Sequence, residues 1–293
     1  MMKMRLSTSL GFEGLRAFFL LLVAFFVAAP LCAQETKPPE LPLLFDSRER
    51  LPKPDLSSLV RLRFLTTVDF PPFNFTDQDG RLAGFHVELV RQICSELGIL
   101  EKCQIQAMPF ADLEQALADG QAEAVVAGVG VTAELRKRFG FSRPYMLLPA
   151  RFARNLKAPL KGTTAVALAG RPVGVTQGTA HAAMLPAFFP AIRVVGFPTA
   201  AEMLQALKDG KVEAVFGDGL HLSFWTSAAA SQKCCALFDG PYLSERHLGE
   251  GMSIMVKQKD KLLLAALDHA LLDLSRNGRL EEIYLRYFPH GLY

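Results

Sequence analysis

Two stretches of this chain, offset by ninety residues, carry the same pattern. Residues 110–128 read FADLEQALADGQAEAVVAG and residues 200–218 read AAEMLQALKDGKVEAVFGD, identical at nine of nineteen positions. Each describes an amphipathic helix, an Asp-Gly stop and a buried strand around Glu-Ala-Val. A glycine after a helix accepts the left-handed conformation that ends it. Identities in phase with such a unit predict two similar lobes.

The surrounding pattern predicts what each lobe is made of. Leu62–Val68 reads as a buried strand. Gly84 opens a helix through Leu97, with Val87, Val90, Ile93 and Leu97 on one face, and Gly98 ends it. Gln104–Met108 is a second strand, Ala111–Ala118 a helix and Ala122–Ala127 a third strand. The order β-α-β-α-β predicts an α/β fold in which each lobe is a mostly parallel sheet flanked by helices. Ligands of such sheets lie off the carboxyl ends of the strands. In the repeats those ends are Ala127-Gly128-Val129 and Gly217-Asp218-Gly219. Two facing lobes place both at one cleft.

The N-terminus has a different character. Lys3, Arg5 and Arg16 precede the run AFFLLLVAFFVAA at Ala17–Ala29, and PLCAQ follows. Basic residues, a short apolar run and a small-residue site are the parts of a secretory signal, with cleavage expected after Ala33. The thirteen apolar residues fall short of a bilayer span, which takes about 20. The protein is therefore expected to be exported. Residues 34–60 hold five prolines and read as a tether, with the ordered domain starting near Arg61.

Charge narrows the partners. The formal net charge is +3. Removing residues 1–33, with three bases and one acid, leaves +3 − 2 = +1. A nearly neutral surface excludes a protein built to capture nucleic acid or anionic membranes. Four cysteines remain after the signal, and four allow three pairings. A Cys94–Cys103 bond closes a short local loop between a helix end and the next strand. Cys234 and Cys235 leave three outcomes open: a vicinal ring, a bond to another molecule, or buried thiols. No CxxC or histidine cluster accompanies them, so no metal or other cofactor is expected.

The run LTTVDFPPFNFTDQDGRLAGFHVELVRQIC, then MPFADLEQAL, AEAVVAGVGVTAE and GFSRPY, resembles the periplasmic solute-binding proteins of the polar amino-acid family. LAGRPVGVTQGTA, VEAVFGDG and GRLEEIYLRYF continue the resemblance over about residues 61–290. It implies a two-lobed receptor that closes on a small polar solute, acts as a monomer, and delivers the solute to an ABC permease. Its chain crosses between lobes near Tyr145–Pro149 and Pro241–Gly249. Lobe one is then 61–146 plus 248–293 and lobe two 147–247. Relatives often carry a disulfide at the position of Cys94–Cys103.

The resemblance also assigns a site. Phe70 matches an aromatic that stacks on the ligand, and Phe110 a second aromatic wall, while Phe73 is expected in the core. Gly128 matches a strand tip whose backbone binds the ligand's ammonium. Thr179 matches a loop at a helix N-terminus, where free N–H groups suit an anion; an N-cap role is the structural alternative. Asp218 matches the carboxylate that pairs with a ligand ammonium, with an N-cap again the alternative. His181 is expected at the surface.

One departure bears on the ligand. Where relatives carry an arginine that grips the α-carboxylate as a fork, this chain has Leu135, and Gly130 replaces a usual hydroxyl residue. Either Arg136 swings in, or the ligand has no α-carboxylate bound in that way. An accessory or sensory binding protein, and a cyclohexadienyl-dehydratase-like enzyme with Asp218 or Asp69 as its acid, are the rival readings. The absence of a nucleophile–base pair or metal set argues against an enzyme.

Overall fold

The computed structural model describes residues 41, 44–46, 48–289 and 291–293. The expected signal at 1–33 lies outside them. The strands in chain order are β1 Leu62–Thr66, β2 Asp69–Phe70, β3 Asn74–Thr76, β4 Leu82–Ala83, β5 Cys103–Ala107, β6 Ala124–Val125, β7 Phe139–Phe141, β8 Ala150–Asn155, β9 Pro172–Thr176, β10 Arg193–Phe197, β11 Ala214–Asp218, β12 Cys235–Leu237 and β13 Met255–Lys257. The helices are α1 Phe85–Leu97, α2 Leu113–Ala118, α3 Ala133–Arg138, α4 Ala180–Phe188, α5 Ala200–Lys208, α6 Gly219–Ser227, α7 Glu245–Leu248, α8 Lys261–Arg276 and α9 Arg279–Tyr287.

Two five-stranded sheets form, in the orders β5-β1-β6-β13-β7 and β10-β9-β11-β8-β12. In each, the first three strands are parallel and the fourth runs against them. That fourth strand is the one with which the chain enters the sheet after a crossing: β8 on leaving the first sheet, β13 on returning. The crossings lie between Phe141 and Ala150 and between Leu237 and Met255. The repeat maps onto this plan, because α2 with β6 and α5 with β11 hold equivalent places. β1 and β11 are buried almost end to end, as central strands covered on both faces must be.

Element boundaries differ from the pattern at the ends. β1 stops at Thr66, two residues early, because Asp69–Ala83 turns away into a three-stranded antiparallel sheet, β2-β3-β4. Residues 110–112 form a 3₁₀ turn ahead of α2. The third strand keeps only Ala124–Val125 in the ladder.

The expected tether is a correction. Its described part from Leu44 to Val60 forms no helix or strand, as its prolines require, yet it is packed on the first lobe. Phe45 and Leu56 are 6% and 7% exposed within a core shared with Leu62, Phe64 and α8. Arg143 grips Glu49 with both terminal nitrogens, Nη2 at 2.6 Å. His269 Nδ1 bonds the carbonyl of Leu51 at 2.8 Å and Lys53 donates to that of Glu96 at 2.7 Å. Proline excludes regular structure but not burial of its apolar neighbours.

Cys94 and Cys103 are bonded, joining the end of α1 to the start of β5. Cys234 and Cys235 form the vicinal ring, one of the three outcomes left open.

Candidate functional site

The site residues named from sequence fall in two groups. The first is in lobe one. Pro71 and Pro72 hold the turn between β2 and β3 and present the ring of Phe70, stacked on Phe73 with centroids 4.8 Å apart. Phe73 is fully buried, as expected of a core residue. The Cε1 edge of the Phe70 ring meets Gly128. That residue has φ +71°, and a Cβ on it would lie 2.7 Å from Phe70 Cε1. Phe110 stands in the 3₁₀ turn before α2 and is 54% exposed, so its ring is free to serve as a wall.

The second group is in lobe two. β9 ends at Thr176, and Gly178, at φ +72°, turns the chain into α4. Thr179 caps that helix: its hydroxyl accepts from the Ala182 N–H at 3.2 Å and donates to the Thr176 carbonyl at 2.7 Å. The first turn of α4 has N–H groups with no intrahelical acceptor. Asp218 ends β11 and caps α6, with Oδ1 accepting from the His221 N–H at 3.0 Å. The capping alternative holds for both residues. It leaves the second carboxylate oxygen of Asp218 without a protein partner among the described residues.

Asp218 and Thr179 share a cavity of about 220 Å³ with Thr176, His181, Met203 and His221. Its wall includes Phe216, whose ring the imidazole of His181 meets edge-on, centroids 6.2 Å apart. Burial pushes His181 below its ordinary pKa, and the nearby Asp218 charge opposes that shift. His181 therefore lies in the cavity wall, not on the surface, which corrects the reading from sequence. Met203 and His221 were not legible as site residues. The repeat placed Met203 opposite Leu113, a core position, and His221 stands one helical turn beyond Asp218.

Arg136, one of the two alternatives for the missing fork, is held elsewhere in this structure. Its guanidinium pairs with Glu250, Nε to Oε1 at 3.2 Å, and lies over the Phe141 ring at 5.7 Å. Arg138 pairs with Glu114 and covers Phe139. Leu135 packs with Met108 and Val131 against the apolar cluster of Ala127 and Val129.

A hydrogen-bonded chain lies behind the first group. His86 Nδ1 is 2.7 Å from Asn74 Oδ1, and its Nε2 is 2.7 Å from Tyr145 Oη at the first crossing. All three side chains are buried. Burial holds His86 neutral, with a pKa of about 3, and pushes the Tyr145 phenol up.

The chain matches the family model for bacterial extracellular solute-binding proteins, family 3, over residues 62–290. It is 30% identical over 227 residues to a putative ABC transporter arginine-binding protein 2 of Escherichia coli, covering 78% of this chain and 90% of that protein. It is 30% identical over 230 residues to an L-arginine-binding protein of Pseudomonas aeruginosa, covering 76% and 86%. The second substrate-binding domain of a putative amino acid ABC transporter from Streptococcus pneumoniae superposes with a TM-score of 0.65 at 22% identity, covering 78% of this chain and 99% of that one. A family match spanning both sheets and both crossings leaves no part of the α/β architecture unaccounted for: this chain belongs to the bacterial extracellular solute-binding proteins, family 3.

Proposed function

We propose that the chain is the periplasmic solute-capturing component of an ABC importer and takes a small polar, amino-acid-like or amine-bearing solute between its lobes. The observation that carries this reading is Asp218, a half-buried carboxylate at a strand end with one oxygen unpartnered inside a cavity. A carboxylate kept in such a place is stabilised by a bound ammonium or guanidinium. The E. coli and P. aeruginosa relatives named for arginine support a cationic group in the solute.

In this reading Phe70 and Phe110 are apolar walls, and the backbone at Gly128 contacts the solute. Thr179 with the N-terminus of α4 offers donors to its polar end. Lobe one is 61–146 plus 248–293 and lobe two 147–247, with closure about the two crossings. The partner is an inner-membrane permease, the leader at 1–33 directs export, and the protein works as a monomer without catalysis.

The test is a thermal-shift screen of purified, refolded protein against amino acids, amines, small acids and neutral polar solutes. A solute at 100 times its dissociation constant adds about 2.7 kcal/mol of stability, a shift of several degrees. A shift from a small polar solute is expected. No shift from any member rejects the reading.

A further inference from the structure

We propose that the preferred solute is a small organic cation that carries no carboxylate, a guanidino-amine or a diamine, with its charged head on Asp218. The proposal rests on the solute-binding reading above and names the chemistry of the same site. Its ground is the set of charges that the described residues place around the two strand ends.

The lobe-two cavity contains one carboxylate and no lysine or arginine. His181 and His221 are its other ionisable groups. The ring of His181 has no hydrogen-bond partner among the described residues, and burial disfavours its charged form. Arg151 is next in sequence to Ala150, the partner of Asp218 across the sheet. Side chains alternate faces along a strand, so Arg151 leaves on the opposite side from Asp218. There its Cγ lies against Gly219 and Gly240, and its Nη1 reaches the Leu292 carbonyl at 3.5 Å.

On the lobe-one side the arginines that follow the tip in sequence are paired: Arg136 with Glu250, Arg138 with Glu114 and Arg143 with Glu49. At the tip, Gly128 meets Phe70, a Cβ on Gly130 would meet open space, and Leu135 packs on the cluster of Ala127 and Val129. The site thus holds a net negative charge and no full positive charge to face a second carboxylate. The N-terminus of α4 supplies only a partial one. A cation with a hydrocarbon body suits these charges: one head meets Asp218, its methylenes meet Phe70 and Phe110, and its second charged end keeps its water at the cleft mouth. An α-amino acid seated by its ammonium carries a carboxylate on the same carbon, beside Asp218, where it would lose water without gaining a counter-ion.

Isothermal titration of the purified, refolded protein against three matched pairs tests this: L-arginine and agmatine, L-lysine and cadaverine, L-ornithine and putrescine. In at least one pair the decarboxylated member is expected to bind at least tenfold more tightly. Asp218→Asn keeps a side chain that caps α6 and is expected to weaken that amine at least tenfold with the unliganded melting temperature unchanged. Equal or tighter binding of the amino acid in every pair that binds overturns the proposal and leaves the solute-binding reading standing. The proposal also falls, with that reading intact, if none of the six binds while another solute of the thermal-shift panel does. Unchanged amine affinity in Asp218→Asn overturns the seat assigned to the charge. Silence from every solute rejects both the proposal and the reading beneath it.

Discussion

The ring of Phe70 occupies the space that a side chain at residue 128 would need. Gly128 has φ +71°, and the nearest atom to a Cβ there is Phe70 Cε1 at 2.7 Å. Two residues that sequence assigned to the site for separate reasons are therefore one mechanical unit. The glycine lets the Cε1 edge of the ring approach the tip of lobe one while the ring stacks on Phe73.

Gly128→Ala should displace the ring and strain the backbone together. A left-handed alanine and a forced ring shift cost about 1–3 kcal/mol in all, and solute affinity should fall at least tenfold. Adding Phe70→Ala removes the clash, so part of the stability should return while the affinity does not. Denaturant melts and titrations of both variants check this. Equal stability of single and double variants would show that the ring is not what excludes the side chain.

The His86 network makes stability depend on pH. Its folded pKa of about 3 lies below the ordinary 6.5. Below pH 6.5 the unfolded chain takes up a proton that the folded chain refuses. This contribution is complete above pH 6.5 and is lost as pH falls toward 3, at about 1.4 kcal/mol per pH unit. His86→Gln removes the titration. The stability lost by the wild type between pH 7 and pH 5 should exceed that lost by the variant by about 2 kcal/mol. Urea melts at the two pH values measure the difference, and parallel losses would contradict it.

Phe45 should matter to stability although it precedes every strand and helix named above. It is 6% exposed in the lobe-one core, and truncating a buried phenylalanine to alanine costs about 3–5 kcal/mol. Phe45→Ala should lower stability by about that amount and leave solute affinity within twofold, because the segment from Leu44 to Val60, a strap over lobe one, does not line the cavity around Asp218. A loss under 1 kcal/mol would mean the strap is detached in solution.

Much of the architecture was legible because its signals are local. The repeated helix, Asp-Gly stop and strand, the caps at Thr179 and Asp218, and the apolar face of α1 lie within a few residues of one another, where backbone geometry and side-chain period act. The duplicated β-α-β order then leaves few ways to arrange two parallel sheets. Local pattern therefore set the two-lobed α/β plan and the strand ends that carry Gly128 and Asp218. Tertiary structure alone decided the rest. Glu250 holds Arg136, Glu49 holds Arg143, His86 joins Asn74 to Tyr145, and Phe45 closes the first lobe's core. Except for His86 with Asn74, these partners lie more than fifty residues apart in sequence. Their pairing depends on which surfaces the packed sheets bring together, and no local propensity encodes it. The burial of His181 beside Asp218 belongs with them, because it exists only once β9 and β11 stand side by side and their helices α4 and α6 begin at the same edge.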